Sequence, residues 1–335
     1  MLAPADAYFR QAWAFCQSYL GGEKEFLLQT SGSTGEPKPI IVTRRQMQAS
    51  AYTTQQALNL KKNQNALVCL NVGYIAGIMM LVRGLEIDLT MYVIPPSSDP
   101  FLSLPEDIQI DFAAFVPLQL QTLLEKNNHG RLNQLKVIIV GGAVVNSSLL
   151  AQIQTLKVPV FSTYGMTETV SHVALRKLNG EDASDYFQLL EGIEAATDER
   201  GCLRLKGAVT NEVWIQTNDV VEWIDHHHFR LVGRADNIIN SGGVKIQLEK
   251  IERAIEKIWD ISARYFVWWK PDERLGQKLI LVVENDQNLA LIALKVALEK
   301  YLTPYEIPKE IIVFEKFVET PTGKVDKQRT FAQNT

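Results

Sequence analysis

The chain is poor in the features that mark several common protein classes. Its three cysteines, Cys16, Cys69 and Cys202, are far apart and lack Cys-x-x-Cys spacing. They define neither a disulfide framework nor a zinc knuckle, and read as buried thiols of a reducing compartment. Basic charge is not in excess, since 34 Lys and Arg stand against 38 Asp and Glu for a formal net charge of −4. That gives no field for nucleic acid and no polybasic patch for a membrane surface. The longest apolar tract, near Ile75 to Val82, is broken by Gly77, closed by Arg83 and too short for a bilayer. No basic segment leading into an apolar core and cleavage site is found at the start, so a cytoplasmic enzyme is expected. Three of the five histidines, His226, His227 and His228, are consecutive. Neighbours on a strand point to opposite faces, so they read as an exposed hairpin tip rather than a metal site. A length of 335 residues suits about two domains, each able to bury a core.

What the chain does have is the stretch Thr30-Ser31-Gly32-Ser33-Thr34-Gly35-Glu36-Pro37-Lys38-Pro39, set between the apolar runs Phe26 to Leu28 and Ile40 to Val42. Glycine lets backbone approach an anion closely, hydroxyls and bare N–H groups donate to phosphate oxygens, and Lys38 adds a point charge. A Walker loop would run directly into a helix. Here Pro37 and Pro39 bracket the lysine and β-branched residues follow, so the loop joins two strands as a phosphate clamp. Taken alone, such a cluster reads more readily as a linker of small polar residues, a preference that the motifs further along reverse.

Apolar spacing predicts a helix from Asp6 to Leu20 with Asp6 as cap and Gly21-Gly22 as stop, and a helix from Thr43 to about Leu58. Strands are expected at Ala66 to Leu70, Leu89 to Ile94, Phe112 to Val116, Val137 to Val140 and Val158 to Phe161, with helices at Ile75 to Leu85, Pro117 to Lys126 and from Asn146 or Ser147. Fully apolar strands alternating with helices indicate an α/β fold with a mostly parallel, helix-covered sheet whose ligands bind at the strands' carboxyl ends. Gly141-Gly142-Ala143 and Thr163 to Thr169 follow strands at that end. From Ser171 to Leu231 short antiparallel strands are expected. After Gly233 come a helix at Leu248 to Trp259, a hairpin around Pro271 to Gly276, a helix at Leu289 to Leu302 and a strand at Ile311 to Phe314, enough for a small α+β domain. The boundary is placed between 235 and 236.

Three further motifs complete the set. Tyr164-Gly165-Met166-Thr167-Glu168-Thr169 offers an aromatic face and hard oxygens of the kind Mg²⁺ prefers. Thr217-Asn218-Asp219 closes a strand, where an aspartate can accept both hydroxyls of a ribose. Gly233-Arg234-Ala235-Asp236 leads into the small domain, and Pro321-Thr322-Gly323-Lys324 places a lysine on a turn near the end.

With the opening loop, these motifs resemble in order those of the adenylate-forming superfamily of acyl- and aryl-CoA ligases, luciferases and peptide-synthetase adenylation domains. The resemblance implies that Thr30, Ser31, Gly32, Ser33, Thr34, Gly35 and Lys38 hold the β- and γ-phosphates of ATP. It implies that Gly141, Gly142 and Ala143 wall off the adenine pocket from the acid pocket, that Tyr164 stacks on adenine, that Thr167 touches the α-phosphate and that Glu168 binds Mg²⁺. Asp219 and Arg234 would hold the ribose, Asp236 would be the hinge of a rotating C-terminal domain, and Lys324 the mobile lysine of the adenylation step. ATP and CoA are then co-substrates.

Two departures bear on the acid. Most family members carry a further subdomain before the phosphate loop, where this sequence has 29 residues. Shortened pockets are expected, with apolar surface that a second copy covers in a homodimer. The family's Leu-Phe-His-x-x-Gly stretch reads Asn71-Val72-Gly73-Tyr74-Ile75-Ala76-Gly77, so Tyr74 replaces a histidine at the acid pocket. Tyr164 to Arg176 and Tyr74 to Met80 look most like the o-succinylbenzoate–CoA ligase branch, whose substrate is a compact aromatic diacid. Its second carboxylate needs a cation or donors, and Arg83, Ser171, His172 and Arg176 are candidates with nothing in the sequence to choose among them. Arg83 reads equally as a residue interacting with its helix's C-terminal dipole, and His172 as a hydrogen-bonded histidine lining the sheet. A ligase for another aromatic or short-chain acid, and a weakly catalytic nucleotide-binding regulator, are the alternatives. Trp268-Trp269 is expected to put one indole in a core and the other on the surface.

Overall fold

The computed structural model describes residues 3–29, 39–258, 263–285, 291–320 and 325–334. The phosphate-loop residues 30–38 and the segment 321–324 that carries Lys324 lie outside them.

Helix α1 (Ala7–Leu20) starts where the Asp6 carboxylate accepts from the Tyr8 and Phe9 amides, satisfying two of the donors a helix start leaves open. Strands β1 (Glu25–Gln29) and β2 (Pro39–Thr43) form an antiparallel pair in the register Leu27↔Ile41. On its outer face Leu27 and Ile41 are exposed, while Phe26, Leu28 and Val42 pack against helices. Helix α2 (Arg44–Leu58) opens with a capping box between Thr43 and Gln46. After β3 (Asn65–Val68), helix α3 (Ile75–Ile87) is buried over most of its circumference, which is why it reads as one apolar tract.

Next come β4 (Thr90–Val93), β5 (Phe112–Phe115), α4 (Pro117–Glu125), α5 (His129–Leu132), β6 (Val137–Val140), α6 (Ser147–Ile153) and β7 (Val160–Gly165). The antiparallel run is β8 (His172–Lys177), β9 (Phe187–Leu189), β10 (Glu194–Thr197), β11 (Cys202–Lys206), β12 (Ile215–Trp223) and β13 (His228–Arg234). All eleven strands from β3 to β13 make one sheet in the order β10-β11-β12-β13-β9-β8-β7-β6-β5-β3-β4. The pairs from β7 to β4 are parallel and those from β8 to β10 antiparallel. The sense of the sheet changes at β7–β8, so the carboxyl end of β7 lies at the border between its parallel and antiparallel halves. Cores lie on both faces of the parallel half.

Beyond β13, the hairpin β14 (Ile238–Ser241) and β15 (Val244–Gln247), helix α7 (Leu248–Ile258), strands β16 (Tyr265–Asp272) and β17 (Gly276–Glu284), α8 (Leu291–Leu298), β18 (Glu310–Phe314) and α9 (Lys327–Asn334) form a five-stranded sheet with helices. In it β18 runs parallel to β17.

Several local expectations need correction. Strand β7 extends through Gly165, so Tyr164 stands on the strand rather than after it. Asp219 is inside β12 rather than at its end, because β12 is hydrogen-bonded on both sides and tolerates polar residues on its half-exposed face. Arg83 is well inside α3, with four more helical residues after it, so a C-terminal dipole does not account for it. Trp268 and Trp269 are both half-buried, their rings stacked at 6.5 Å, so neither is a surface indole. His226 and His227 lie in the turn before β13, and His228 bonds the Asp225 carboxylate at 2.8 Å. Among the described residues no cluster of three metal-ligating side chains occurs, and no helix is long and apolar enough to cross a membrane.

Candidate active site

The site forms where β6, β7 and β12 end or pass and where α3 begins. Tyr164 is buried among Phe187 and Phe229, with ring centroids 5.8 and 5.4 Å away. Its phenol donates to Asp219 Oδ2 at 2.6 Å, and burial, then the Asp219 charge, holds that phenol protonated far above the usual tyrosine range. Asp219 and Arg234 are directly opposed on β12 and β13. Arg234 Nη1 donates to Asp219 Oδ1 at 3.3 Å and its other nitrogens form a two-pronged pair with Asp236 at 2.9 and 2.7 Å. The Asp236 carboxyl is pushed up by burial, but the bonds from Arg234 outweigh this and hold it below the usual range.

Behind this group, Gln247 Nε2 donates to the Arg234 carbonyl at 2.9 Å, and Arg253 donates to the Val232 carbonyl. The segment after β13 is thereby tied back onto β13 through backbone acceptors, and within that segment Asn237 donates to the Glu249 carboxylate.

Glycines set how closely strands and turns approach. A Cβ on Gly165 would sit 2.2 Å from the Ser171 carbonyl oxygen, and one on Gly141 2.0 Å from Thr163 Oγ1. Gly142 has φ +82°, a conformation side chains rarely adopt. At the start of α3, a Cβ on Gly77 would meet the Asn71 carbonyl at 2.4 Å, which explains the glycine that ends the Asn71 to Gly77 stretch. Tyr74 caps that helix half-buried, without a side-chain hydrogen bond to the helix start.

Thr167 is buried and Glu168 is exposed on a one-turn helix after β7. Thr169 secures the turn, its hydroxyl accepting from the Met166 amide and bonding the Met166 and Ser171 carbonyls. Val170 follows at φ 65°, ψ −48°, and the Ser171 amide reaches the Thr169 carbonyl at 2.7 Å. That is a γ-turn of the strained, positive-φ hand on a β-branched residue.

The turn delivers Ser171 and His172 to Arg83. Arg83 Nη2 donates to Ser171 Oγ at 2.7 Å and Nε to Thr54 Oγ1 at 3.2 Å, while His172 Nε2 bonds Thr54 Oγ1 at 3.1 Å. Burial lowers the Arg83 guanidinium to about 10, still charged at neutral pH. Burial, then the Arg83 charge, holds His172 neutral, well below its usual pKa. Arg176 goes elsewhere, its guanidinium over the Phe187 ring at 5.4 Å. Of the four residues named for the second carboxylate, three thus meet and one does not. Thr54 and Ser50, one turn apart on α2, escaped notice, although hydroxyls on the face that carries Met47 and Ala51 are a legible signal.

The chain is similar to known proteins over most of its length. Residues 25–206, more than half the chain, match the family described as AMP-binding enzyme. Curated relatives include proteins named 2-succinylbenzoate--CoA ligase from Enterococcus faecalis, 26% identical over 90% of this chain and 68% of its own length, and from Staphylococcus aureus, 27% identical over 91% and 66%. The chain spans about two thirds of the length of these relatives. Among solved structures, an acyl-CoA synthetase (AMP-forming)/AMP-acid ligase II-like protein from Dyadobacter fermentans is 49% identical, covering 100% of this chain and 97% of that one with a TM-score of 0.69. O-succinylbenzoate Coenzyme A Synthetase from Bacillus subtilis, in complex with ATP and magnesium ion, is 20% identical over 91% and 69% with a TM-score of 0.78, a likeness of fold. The chain belongs to the AMP-binding, adenylate-forming enzyme family. Within it, its relatives are acid–CoA ligases.

Proposed function

We propose that this chain is an ATP-dependent acid–CoA ligase that works in the cytoplasm through an acyl-adenylate, with o-succinylbenzoate as its acid. The observation that carries the reading is the group formed by Tyr164, Asp219, Arg234 and Asp236 at the carboxyl end of β7, next to Thr167 and Glu168. An aromatic ring backed by a carboxylate and a guanidinium suits a nucleoside, and the one-turn helix beside it suits a phosphate.

In the first half-reaction a substrate carboxylate oxygen attacks the α-phosphorus of ATP, the bond to the bridging oxygen breaks, and pyrophosphate leaves. In the second, the CoA thiol, giving up its proton, attacks the acyl carbonyl and AMP departs with the electron pair of the C–O bond. Both steps gather anions, so catalysis here is charge neutralisation and positioning. Thr30 to Gly35 and Lys38 hold the β- and γ-phosphates, Gly141 and Gly142 keep backbone close to the nucleotide, Thr167 donates to the α-phosphate, and Asp219 with Arg234 orients the ribose. Lys324 bridges carboxylate and α-phosphate. Glu168 is a single exposed carboxylate, which fits Mg²⁺ because that ion is commonly held by one or two carboxylates together with substrate phosphates. When bound, Mg²⁺ supplies charge to the leaving pyrophosphate. Asp236 serves as the hinge between a large body, 1–235, and a small one, 236–335.

The test is pyrophosphate release by the purified chain with Mg-ATP and CoA, comparing o-succinylbenzoate, benzoate, succinate, a medium-chain fatty acid and no acid. Release confined to o-succinylbenzoate, with AMP and an acyl-CoA product, is expected. Release with a different acid would remove the substrate assignment, and ATP binding without release for any acid would overturn the ligase reading.

A further inference from the structure

Among the described residues no hydrophobic cluster spans the proposed boundary between 235 and 236. The clusters of the C-terminal unit start at Ile239 and Phe266, and those before the boundary reach no further than Leu231. Polar ties that cross the boundary gather at the end of β13. Strand β9 pairs with β13 at His228 and Phe229, so past Phe229 that side of β13 has no strand neighbour among the described residues. On the other side the β12 register slips, and Val232 has no partner residue there. Main-chain carbonyls at such an open edge need donors. Here side chains of the C-terminal unit supply them: Gln247 Nε2 donates to the Arg234 carbonyl at 2.9 Å, and Arg253 Nη2 to the Val232 carbonyl.

Both donors are braced. Glu249 accepts from Gln247 Nε2 with one carboxylate oxygen and from Asn237 Nδ2 with the other. Arg253 Nε bends back to the Glu249 carbonyl at 3.3 Å, one turn earlier on α7. Gly233, between the two accepting residues, is buried, and a Cβ there would lie 2.5 Å from Gln247 Nε2 and 2.8 Å from Glu249 Oε2. Its φ is outside the left-handed region, so this glycine serves close approach rather than a turn. Arg253 is exposed and Gln247 half-buried, so water can replace their bonds when the contact opens.

We propose that Gln247 and Arg253, braced by Glu249, are positioning residues: a latch that holds the C-terminal unit on the open edge of β13 in the orientation of one half-reaction and releases it for the other. This rests on the acid–CoA ligase reading, with its hinge at Asp236, and deepens it. The two acceptors belong to the large body and the donors to the small one, so a turn about Asp236 breaks both bonds together. The bonds of Glu249 to Gln247 and Asn237 travel with the small body. Acceptors in the main chain do not depend on the side chains at 232 and 234, and the bare Cα of Gly233 is what lets the donors reach them. Because no shared apolar cluster is opened, these bonds weigh directly on the balance between the two orientations.

The experiment compares the full native chain with Gln247→Ala, Arg253→Ala and Gly233→Ala by two readouts. The first is the rate at which trypsin cuts between Arg234 and Ala235 in the folded protein, followed by mass spectrometry. An open latch exposes that bond, so each variant should be cut about three- to tenfold faster than the native chain. The second is the ratio of single-turnover rates for adenylation and for thioesterification of supplied acyl-adenylate, which should shift by about threefold or more. A purely structural role would lower both rates alike and leave that ratio unchanged. Unchanged cleavage in all three variants overturns the latch, and so does faster cleavage at sites throughout the chain, the mark of general unfolding. Faster cleavage after Arg234 with an unchanged ratio overturns its part in the reaction. Inactivity of the native chain with every acid overturns the ligase reading instead, while the cleavage rates still decide the latch.

Discussion

Tyr164 and Asp219 stand on strands separated in the sheet by β8, β9 and β13, yet the phenol and carboxylate meet at 2.6 Å. The hydrogen bond fixes the ring edge, while Phe187 and Phe229 fix its body. Tyr164→Phe removes only the first constraint. It should cost about 1–2 kcal/mol of stability and change the KM for ATP by less than about threefold, since the stacking face remains. Tyr164→Ala removes both, and its cost should reach about 3–5 kcal/mol. Denaturant melts and ATP titrations of the two variants check this. Equal effects on ATP binding would contradict a stacking role for the ring.

Gly165→Ala should be among the worst small substitutions in the chain. Its new methyl would stand 2.2 Å from the Ser171 carbonyl and 2.6 Å from the His172 Cα, both backbone atoms that cannot rotate away. The strand pair must shift just where the γ-turn hands Ser171 to Arg83, so a loss above about 2 kcal/mol together with lost activity is expected. Gly130→Ala is the control. Nothing lies within 4 Å of its added methyl, and alanine on a short helix should be neutral or raise stability by up to about 1 kcal/mol. A thermal melt of each variant suffices, and similar shifts for both would refute the packing argument.

The difference between these glycines shows what a sequence carries and what it leaves out. The helix that Asp6 caps, the capping box at Thr43 and the apolar strands of the parallel half are local, so periodicity and end signals found them. The contacts Tyr164 to Asp219 and Arg83 to Ser171 span 55 and 88 residues. No local rule yields them, and the order of motifs made the first legible only by resemblance. The second was one candidate among four until folding sent Arg176 to Phe187. The β14–β15 hairpin and helix α9 were also missed. The hairpin turns on Gly242-Gly243 within a short segment taken as a boundary, and α9 is a mostly polar helix whose apolar pattern is weak. The phosphate loop and Lys324 stay as sequence inferences, since they lie outside the described residues.

Stability should fall as the solution is acidified through the histidine range, and His172 should be one cause. Its pKa is lower folded than unfolded because burial, then the Arg83 charge, disfavour the imidazolium. Above the unfolded value, about 6.5, neither state binds the proton and His172 contributes no pH dependence. Below it the unfolded state takes up the proton first, so folding loses up to about 1.4 kcal/mol per pH unit until the folded pKa is reached. His172→Asn lacks that proton. The gap in stability between the native chain and His172→Asn should be constant from pH 8 to 7 and close as pH falls from 6.5 to 5. A gap that stays constant throughout would mean that His172 titrates normally.

Lys324 lies outside the described residues, but its flanks are brought together by an antiparallel bridge between Glu319 and Val325, and Glu319 is paired with Arg264. In the proposed reaction Lys324 neutralises charge only while carboxylate and α-phosphate approach, and the thiol later needs the space it occupies. Lys324→Ala should therefore lower pyrophosphate release about 100- to 1000-fold, the usual consequence of removing one transition-state donor. Conversion of supplied acyl-adenylate and CoA to acyl-CoA should stay within about threefold of the native rate. Single-turnover assays of the two half-reactions separate these outcomes. Loss of both to the same extent would mean that one fixed arrangement serves both steps, and the hinge at Asp236 would then have no catalytic purpose.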